Sequence, residues 1–445
     1  MADKFLSHLL EVSLARGAEA AEIYDLEEDS TLLDIKEGKI DTLSRTHQEG
    51  IGLRVLERER IGFVFASHAR GGNPEALIDE ALAAARSSHP DPFLDIPFPP
   101  PTPYPDVDAY DPSLRAMRLE DRVDFAREME GDARGFDPRV SKVRHCLYRD
   151  TDCLVTILNS RGLEAQARAT HCICSLEVVA EERGSSETGW DMQSSSCFSD
   201  LRGREVARRA AEHAVRMLGA RILPTASAEA ILSPAVAAEF FEVISAALKA
   251  DAVQKGKSLF EGREGTEVAA GCLTLVDDGL LVRGSSTFPF DDEGTPSQRI
   301  SLIERGVLST FLYDSYFGAR EDKPSTGNAR RAGFRSPPQI TATNLYPVPG
   351  DRSGDEMVRD VKNGALILSL MGMHTANPIS GDFSVGVEGL WIEGGKIQGP
   401  FRGMTMAGNI RDFLRILEEV GSDLRFFGSF GSPSLRTSKI QFGGS

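Results

Sequence analysis

Between Ser233 and Lys257 the apolar residues Val236, Phe240, Val243, Ile244, Ala247 and Leu248 recur at three- and four-residue steps, with Glu239, Glu242 and Lys249 off the stripe. Ser233 suits a helix N-cap and Pro234 the first turn, where a missing N–H costs nothing. The pattern predicts an amphipathic core helix. Nearer the N-terminus the period falls to two, predicting strands at 22–26, 31–37, 39–45, 51–57 and 61–67 in an antiparallel sheet with one solvated face. Helices at 2–16, through Phe5, Leu9 and Val12, and at 73–88, capped by Asn73, flank these strands.

The same order then repeats: helix at 119–134, strands at 140–149, 153–159, 163–169 and 172–181, and helix at 203–218. Beyond it come strands at 229–232, 273–277, 299–304, 307–313, 365–370, 383–388 and 438–442, a hairpin at 390–398, and helices at 355–362 and 409–420. Glycines at the second central position in 36–39, 160–163, 304–307 and 393–396 mark four tight hairpin turns. The fold class is therefore α+β in two domains, N-terminal helix and antiparallel-sheet layers, open to a reading as a duplication, followed by a strand-rich C-terminal domain. The boundaries are 1–88 for the first unit, 118–222 for the second and 223–445 for the C-terminal domain, with a connector at 89–117.

That connector is proline-rich, which removes backbone donors and favours an extended strap along the surface. Residues 182–200, rich in Ser and Gly, read as a loop whose Trp190 either plugs the sheet or makes a contact. His171, Cys172 and Cys174 invite a metal reading. On a strand, however, the two cysteines face away from the histidine, so buried reduced thiols are the better account.

The chain has 445 residues, enough for two or three domains, and a hydrophobic content of 41%. A formal net charge of −17 without a Lys/Arg cluster argues against direct nucleic-acid binding. No apolar run reaches the length of a membrane span, and the first residues carry no secretory signal pattern. With six scattered cysteines and no C-x-x-C pair, the expectation is a cytoplasmic protein.

After the helix at 233–257 seven motifs stand in one order: SLFEG, LVDDG, FPFDDEGTPSQ, LIERGVL, STGNARR, ISGDFSVG and LWIEGGKI. Together with the helix they resemble the C-terminal half of the TldD/PmbA family, the so-called modulators of DNA gyrase. Active members of that family resemble zinc metallopeptidases, with His-Glu-x-x-x-His on the equivalent helix and a Cys near the C-terminus. Counted from Lys255-Gly256 and Gly431-Ser432, those ligand positions fall on Phe241, Ala246 and Phe430, and only the Glu remains, as Glu242. None of the three side chains can bind zinc. No histidine lies between His213 and His374, so a one-turn slip would find no ligand either.

The resemblance therefore implies the PmbA (TldE) branch, an accessory chain without a cofactor of its own and not catalytic alone. It implies a zinc-bearing TldD-like partner, an extended peptide substrate, and a homodimer in isolation. Two alternatives stay open: an enzyme acting alone, and a non-proteolytic regulator acting on DNA gyrase or a toxin–antitoxin system. Candidate cleft residues are Asn328, His374, Ser380 and Asp382, with Glu242 kept from the zinc helix. Structural readings stand beside these: Asn328 as a left-handed turn residue, His374 as a loop histidine, Asp382 after Gly381 as a turn cap, and Glu242 with Glu239 on a solvated face. Asp277-Asp278 and Asp291-Asp292-Glu293 lack the spacing of a calcium loop.

Overall fold

A computed structural model describes residues 4–444 of the chain. The N-terminal half is built on one antiparallel sheet of β1 (Ala20–Lys36), β2 (Lys39–Leu56), β3 (Ile61–Ser67), β4 (Val140–Asn159), β5 (Glu164–Glu182) and β6 (Ser185–Ser195), in the order β3-β2-β1-β4-β5-β6. The two predicted units thus share a single sheet, joined where β1 pairs with β4. Strands expected in pairs, such as 22–26 with 31–37, run through as one element each. The intervening charged residues, Glu27 to Ser30, find cross-strand partners on both sides and do not turn the chain. The segment 182–200, expected as a loop, instead contains β6, followed by a short 3-10 turn at Phe198–Asp200.

Helices cover one face. Over β1 and β2 lie α1 (Lys4–Ala15) and α2 (Pro74–Ser87), enclosing Leu6, Leu9, Ile23, Leu53 and Ile78. Residues 2 and 3 of the helix predicted at 2–16 lie outside the described residues. Asn73 caps α2 as expected, its side chain accepting from the Glu75 N–H at 3.0 Å. After the short α3 (Ser113–Ala116), α4 (Leu119–Phe136) and α5 (Gly203–Met217) cover β4 and β5, burying Cys172 and Cys174 beside Val206 and Ala210. At Gly189 a Cβ would collide with the Ala210 carbonyl, so glycine there lets α5 lie close on β6.

In the C-terminal half, β7 (Ala226–Leu232) leads into α6 (Pro234–Ala247), then α7 (Ala250–Gln254). A second sheet comprises β8 (Leu275–Asp278), β9 (Arg299–Glu304), β10 (Val307–Leu308), β13 (Leu345–Pro347), β18 (Arg425–Phe427) and β19 (Phe430–Ser432). Between them come α8 (Ser315–Ala319), the two-stranded pair β11 (Ala329–Arg330) and β12 (Gln339–Ile340), and α9 (Gly354–Val358). A third sheet, of β7, β14 (Asn363–Met371), β15 (Asp382–Glu393), β16 (Lys396–Asn409), β17 (Leu417–Val420) and β20 (Leu435–Gly443), curls into a barrel when β16 also pairs with β20. The helix expected at 409–420 is only α10 (Ile410–Arg415), because the chain turns at Ile416 to add β17 to β20. All four hairpin turns form where the glycines place them, with positive φ at Gly38, Gly162, Gly306 and Gly395.

The helix α6 is wedged between the barrel and the second sheet. Its stripe is buried as predicted, with Phe240 stacked on Phe413 at 4.5 Å between ring centroids. Ser233 precedes the first turn, but its hydroxyl makes no cap bond.

The second face of the N-terminal sheet is not solvated throughout. Tyr24, Leu26, Val155 and Ile157 meet Phe288, Phe290 and Phe334 from the C-terminal half. In the same face sits a buried ionic network. Arg54 donates through Nε and Nη2 to the carboxylate of Glu22, directly opposite on β1, and through Nη1 to Glu293 at 3.2 Å. Arg331 donates to Glu22 at 2.8 Å. The connector closes over an edge of this joint as a strap, with Ile96 packed on Ala20 and Leu56 and the Tyr104 hydroxyl donating to the Gly294 carbonyl at 2.9 Å. Because buried Glu293 would lose its only guanidinium partner and Glu22 would keep only Arg331, Arg54→Met should lower unfolding stability by about 3–5 kcal/mol, read by chemical denaturation. A loss under about 1 kcal/mol would show that the two halves do not depend on the network.

Candidate functional site

The first turn of α6 opens on a cleft of about 510 Å³. Its far wall is α5 and the edge strand β6, and its floor is β14 with Leu366 and Leu368. Asp191 of β6 ties the walls together, accepting from Arg209 of α5 and Arg425 of β18, each at 2.6 Å. Trp190, neither plug nor loop residue, stands on the edge strand, 44% exposed, with its ring 6.2 Å from that of Phe427. No strand pairs with the outer edge of β6 among the described residues. Such an edge beside an exposed aromatic suits an extended chain, which gains main-chain hydrogen bonds from the edge and apolar contact from the ring.

The charges lining the cleft are softened by burial. Glu239 on α6 has its pKa pushed up to about 7, first by burial and then by Glu242 one turn on. His213 is pushed down, first by burial and then by Arg216, and so stays neutral. The Ser233 hydroxyl oxygen is buried with no partner at the head of the helix. The site therefore offers half-buried hydrogen-bonding groups beside an ion-paired wall, which fits binding of a polar main chain.

Of the five cleft candidates named from the sequence, Glu242, Asn328, His374, Ser380 and Asp382, none lines this cleft. Glu242 is exposed, and Glu239, read with it as solvated surface, is the one that turns inward. Asn328 cannot be a cleft residue. It is fully buried, donating to Asp277 at 2.7 Å and to the Thr341 carbonyl and accepting from Thr326, so its polar atoms are spent on the second sheet. His374 is exposed on a 3-10 turn that packs against α6. Ser380 and Asp382 are exposed too, joined at 2.7 Å, and Asn409 holds the Asp382 carboxyl below its ordinary range. These two stabilise the turn before β15. Asp191, Arg209, His213 and Arg425 went unrecognised. The alternation of Thr188, Trp190 and Met192 within the Ser- and Gly-rich segment was the available signal.

The three positions expected to hold zinc lie on facing elements, Phe241 and Ala246 on α6 and Phe430 on β19. Phe241 is fully buried there and Phe430 packs on the same core, while Ala246 is half-buried. Hydrocarbon fills the junction, and a zinc ion has no donor in it. The acidic runs offer no site either. Asp291 accepts three backbone N–H groups and Asp277 is held by Thr343 and Asn328.

Residues 225–444 match the model of the PmbA/TldA metallopeptidase C-terminal domain, 112–218 its central domain and 21–85 its domain 1. The chain belongs to the PmbA/TldD family. Among curated members, it is 26% identical over 402 residues to a metalloprotease of Methanocaldococcus jannaschii, covering 89% of this chain and 88% of that one. With the metalloprotease PmbA of Escherichia coli O157:H7 it shares 25% identity, covering 93% and 90%. The PmbA/TldD fold is shared in full with a crystal structure from Thermotoga maritima named for modulation of DNA gyrase, at a TM-score of 0.91, 25% identity and 99% coverage of both chains. TldE of Thermococcus kodakarensis superposes with a TM-score of 0.89 at 21% identity, over 99% of this chain and 100% of that one.

A buried acid with a raised pKa keeps its proton in the folded state when the unfolded chain has lost it, so stability falls as pH rises from about 4.5, its ordinary value, through about 7. Glu239→Gln removes that dependence. The variant should be more stable than the parent by roughly 1–2 kcal/mol above pH 8 and indistinguishable from it below pH 4, read from melting curves across pH. Equal stability at both ends would mean that Glu239 faces water.

Proposed function

We propose that this chain is the metal-free, TldE-like subunit of a PmbA/TldD-type peptidase. It pairs with a TldD-like sibling that carries zinc, and it helps to hold an unfolded or modified peptide in extended form. The observation that supports this reading is hydrocarbon at every position where the resemblance places a ligand, at Phe241, Ala246 and Phe430. Here Phe241 is fully packed. The cleft at the head of α6 supplies the peptide-holding half of the function, with the β6 edge, Trp190 and the half-buried Glu239 as its working parts.

Bond cleavage belongs to the sibling in this reading, and a symmetric dimer is the form expected in its absence. Six free thiols fit a reducing, cytoplasmic setting.

The untagged chain, purified with zinc supplied, should hold close to no zinc by elemental analysis and cleave no peptide. Mixed with a His-Glu-x-x-x-His sibling from the same genome, it should co-elute and yield a chelator-sensitive peptidase. About one zinc per chain, or chelator-sensitive cleavage by the chain alone, would overturn the proposal. Stable binding to gyrase with no peptide cleaved in any mixture would point to the regulatory alternative.

A further inference from the structure

A second cavity, of about 330 Å³, lies at the joint between the two halves and shares no lining residue with the α6 cleft. Its volume sits near the lower limit for a small-ligand site, about 300 Å³. One wall is the sheet face carrying Tyr24, Cys153, Val155 and His171, and the other is 285–288 with Phe288, together with Arg330 and Ser429.

Most guanidinium groups this close to a core are matched by a carboxylate. Arg330 forms no ion pair among the described residues. Its Nη1 donates to the Phe290 carbonyl at 3.1 Å, its guanidinium lies over the Phe288 ring at 5.9 Å, and its Nη2 is buried without a partner. The acids nearby feel the Arg330 charge but bond to other groups: Asp291 accepts from three backbone N–H groups, and Asp292, which also lines the cavity, accepts from the Arg331 N–H at 2.6 Å. Arg331 is itself matched by Glu22.

Two hydroxyl pairs reinforce this surplus of donors. Ser286 bonds to Ser429 and Ser194 to Ser285, each at 2.7 Å. In a pair of hydroxyls one hydrogen bridges and the other is left over, so each pair has a hydrogen still to give. His171 adds Nε2, buried and unpartnered. Burial and then the Arg149 charge push its pKa down to about 4, so the ring is neutral at physiological pH and either nitrogen can carry the proton.

We infer that this joint cavity is a binding site for a small carboxylate with an apolar body, its oxygens taken by Arg330 and the Ser286–Ser429 pair and its body lying against Phe288 and Val155. A guanidinium with a spare N–H, flanked by spare hydroxyl hydrogens, matches the two oxygens of a carboxylate better than it matches a neutral carbonyl. The same chemistry is found in a free N-acylated amino acid and in the C-terminal residue of a short peptide. The inference stands whether or not the α6 cleft holds peptide.

Titration calorimetry on the full chain tests it with four probes: N-acetyl-L-phenylalanine, its amide, an N-acetylated tripeptide ending in phenylalanine with a free carboxylate, and that tripeptide amidated. The acids should bind and the amides should bind at least about tenfold more weakly, the worth of one charge-assisted hydrogen bond. Preference for the tripeptide acid would identify a peptide terminus as the source, and preference for the single residue a free acid. Arg330→Gln, whose amide can still reach the Phe290 carbonyl, should abolish the acid-over-amide difference, and Arg330→Lys should restore part of it. Ser286→Ala should weaken the acids severalfold, and it stands as the second test if the Arg330 variants fail to fold. No binding of either acid, equal binding of acid and amide, or a difference that survives both Arg330→Gln and Ser286→Ala would overturn the inference.

Discussion

The two halves of this chain are held in register by charges that have nowhere else to go. Glu22 is fully buried and Arg54 nearly so, and each would be costly to leave dry. Arg54 resolves this by reaching both Glu22, across the β1–β2 ladder, and Glu293, from the opposite half of the molecule, while Arg331 takes the remaining side of Glu22. Hydrophobic contact between Tyr24, Leu26, Phe288 and Phe334 brings the surfaces together but tolerates sliding. A hydrogen-bonded ion cluster does not, because a displacement of one residue would strand several charges at once. Gly52 belongs to the same constraint: a Cβ there would stand 2.7 Å from the Phe334 carbonyl oxygen, so only glycine admits the loop that carries Arg331.

From that fixed joint the two cavities acquire different characters. The joint cavity inherits donors from the loops that complete the network, and Arg330 is the residue for which no acid is left over. The α6 cleft lies on the other flank, where Asp191 plays the bridging part between Arg209 and Arg425. Burial moves two of its groups toward their neutral forms, Glu239 upward and His213 downward. One region is poised to receive an acceptor, and the other to line a main chain.

Much of the architecture was legible in the residues. The stripe from Val236 to Leu248, the Asn73 cap and the four glycine turns are each local in the chain, where sterics and periodicity decide the outcome. The inward-facing Cys172 and Cys174 followed from alternation alone. Errors clustered where a distant partner overrides a local signal. β6 forms from a Ser- and Gly-rich stretch because β5 offers it a full ladder, and the continuation of 409–420 into β17 depends on pairing with β20. Asn328 was misplaced for the same reason. Asn328 reads as an exposed turn polar until Asp277, far away in sequence, is seen to bury it.

By itself the sequence determined the α+β class, the central helix and the absence of a zinc donor at Phe241, Ala246 and Phe430, because each depends on residue type and short spacing. It could not determine which polar groups are dry. Tertiary structure alone decided that the two N-terminal units form one sheet, that Glu239 and not Glu242 turns inward, and that Arg330 is left without an acid. Burial and charge pairing are properties of what lies opposite in space, and the elements opposite these residues are tens to hundreds of positions away along the chain.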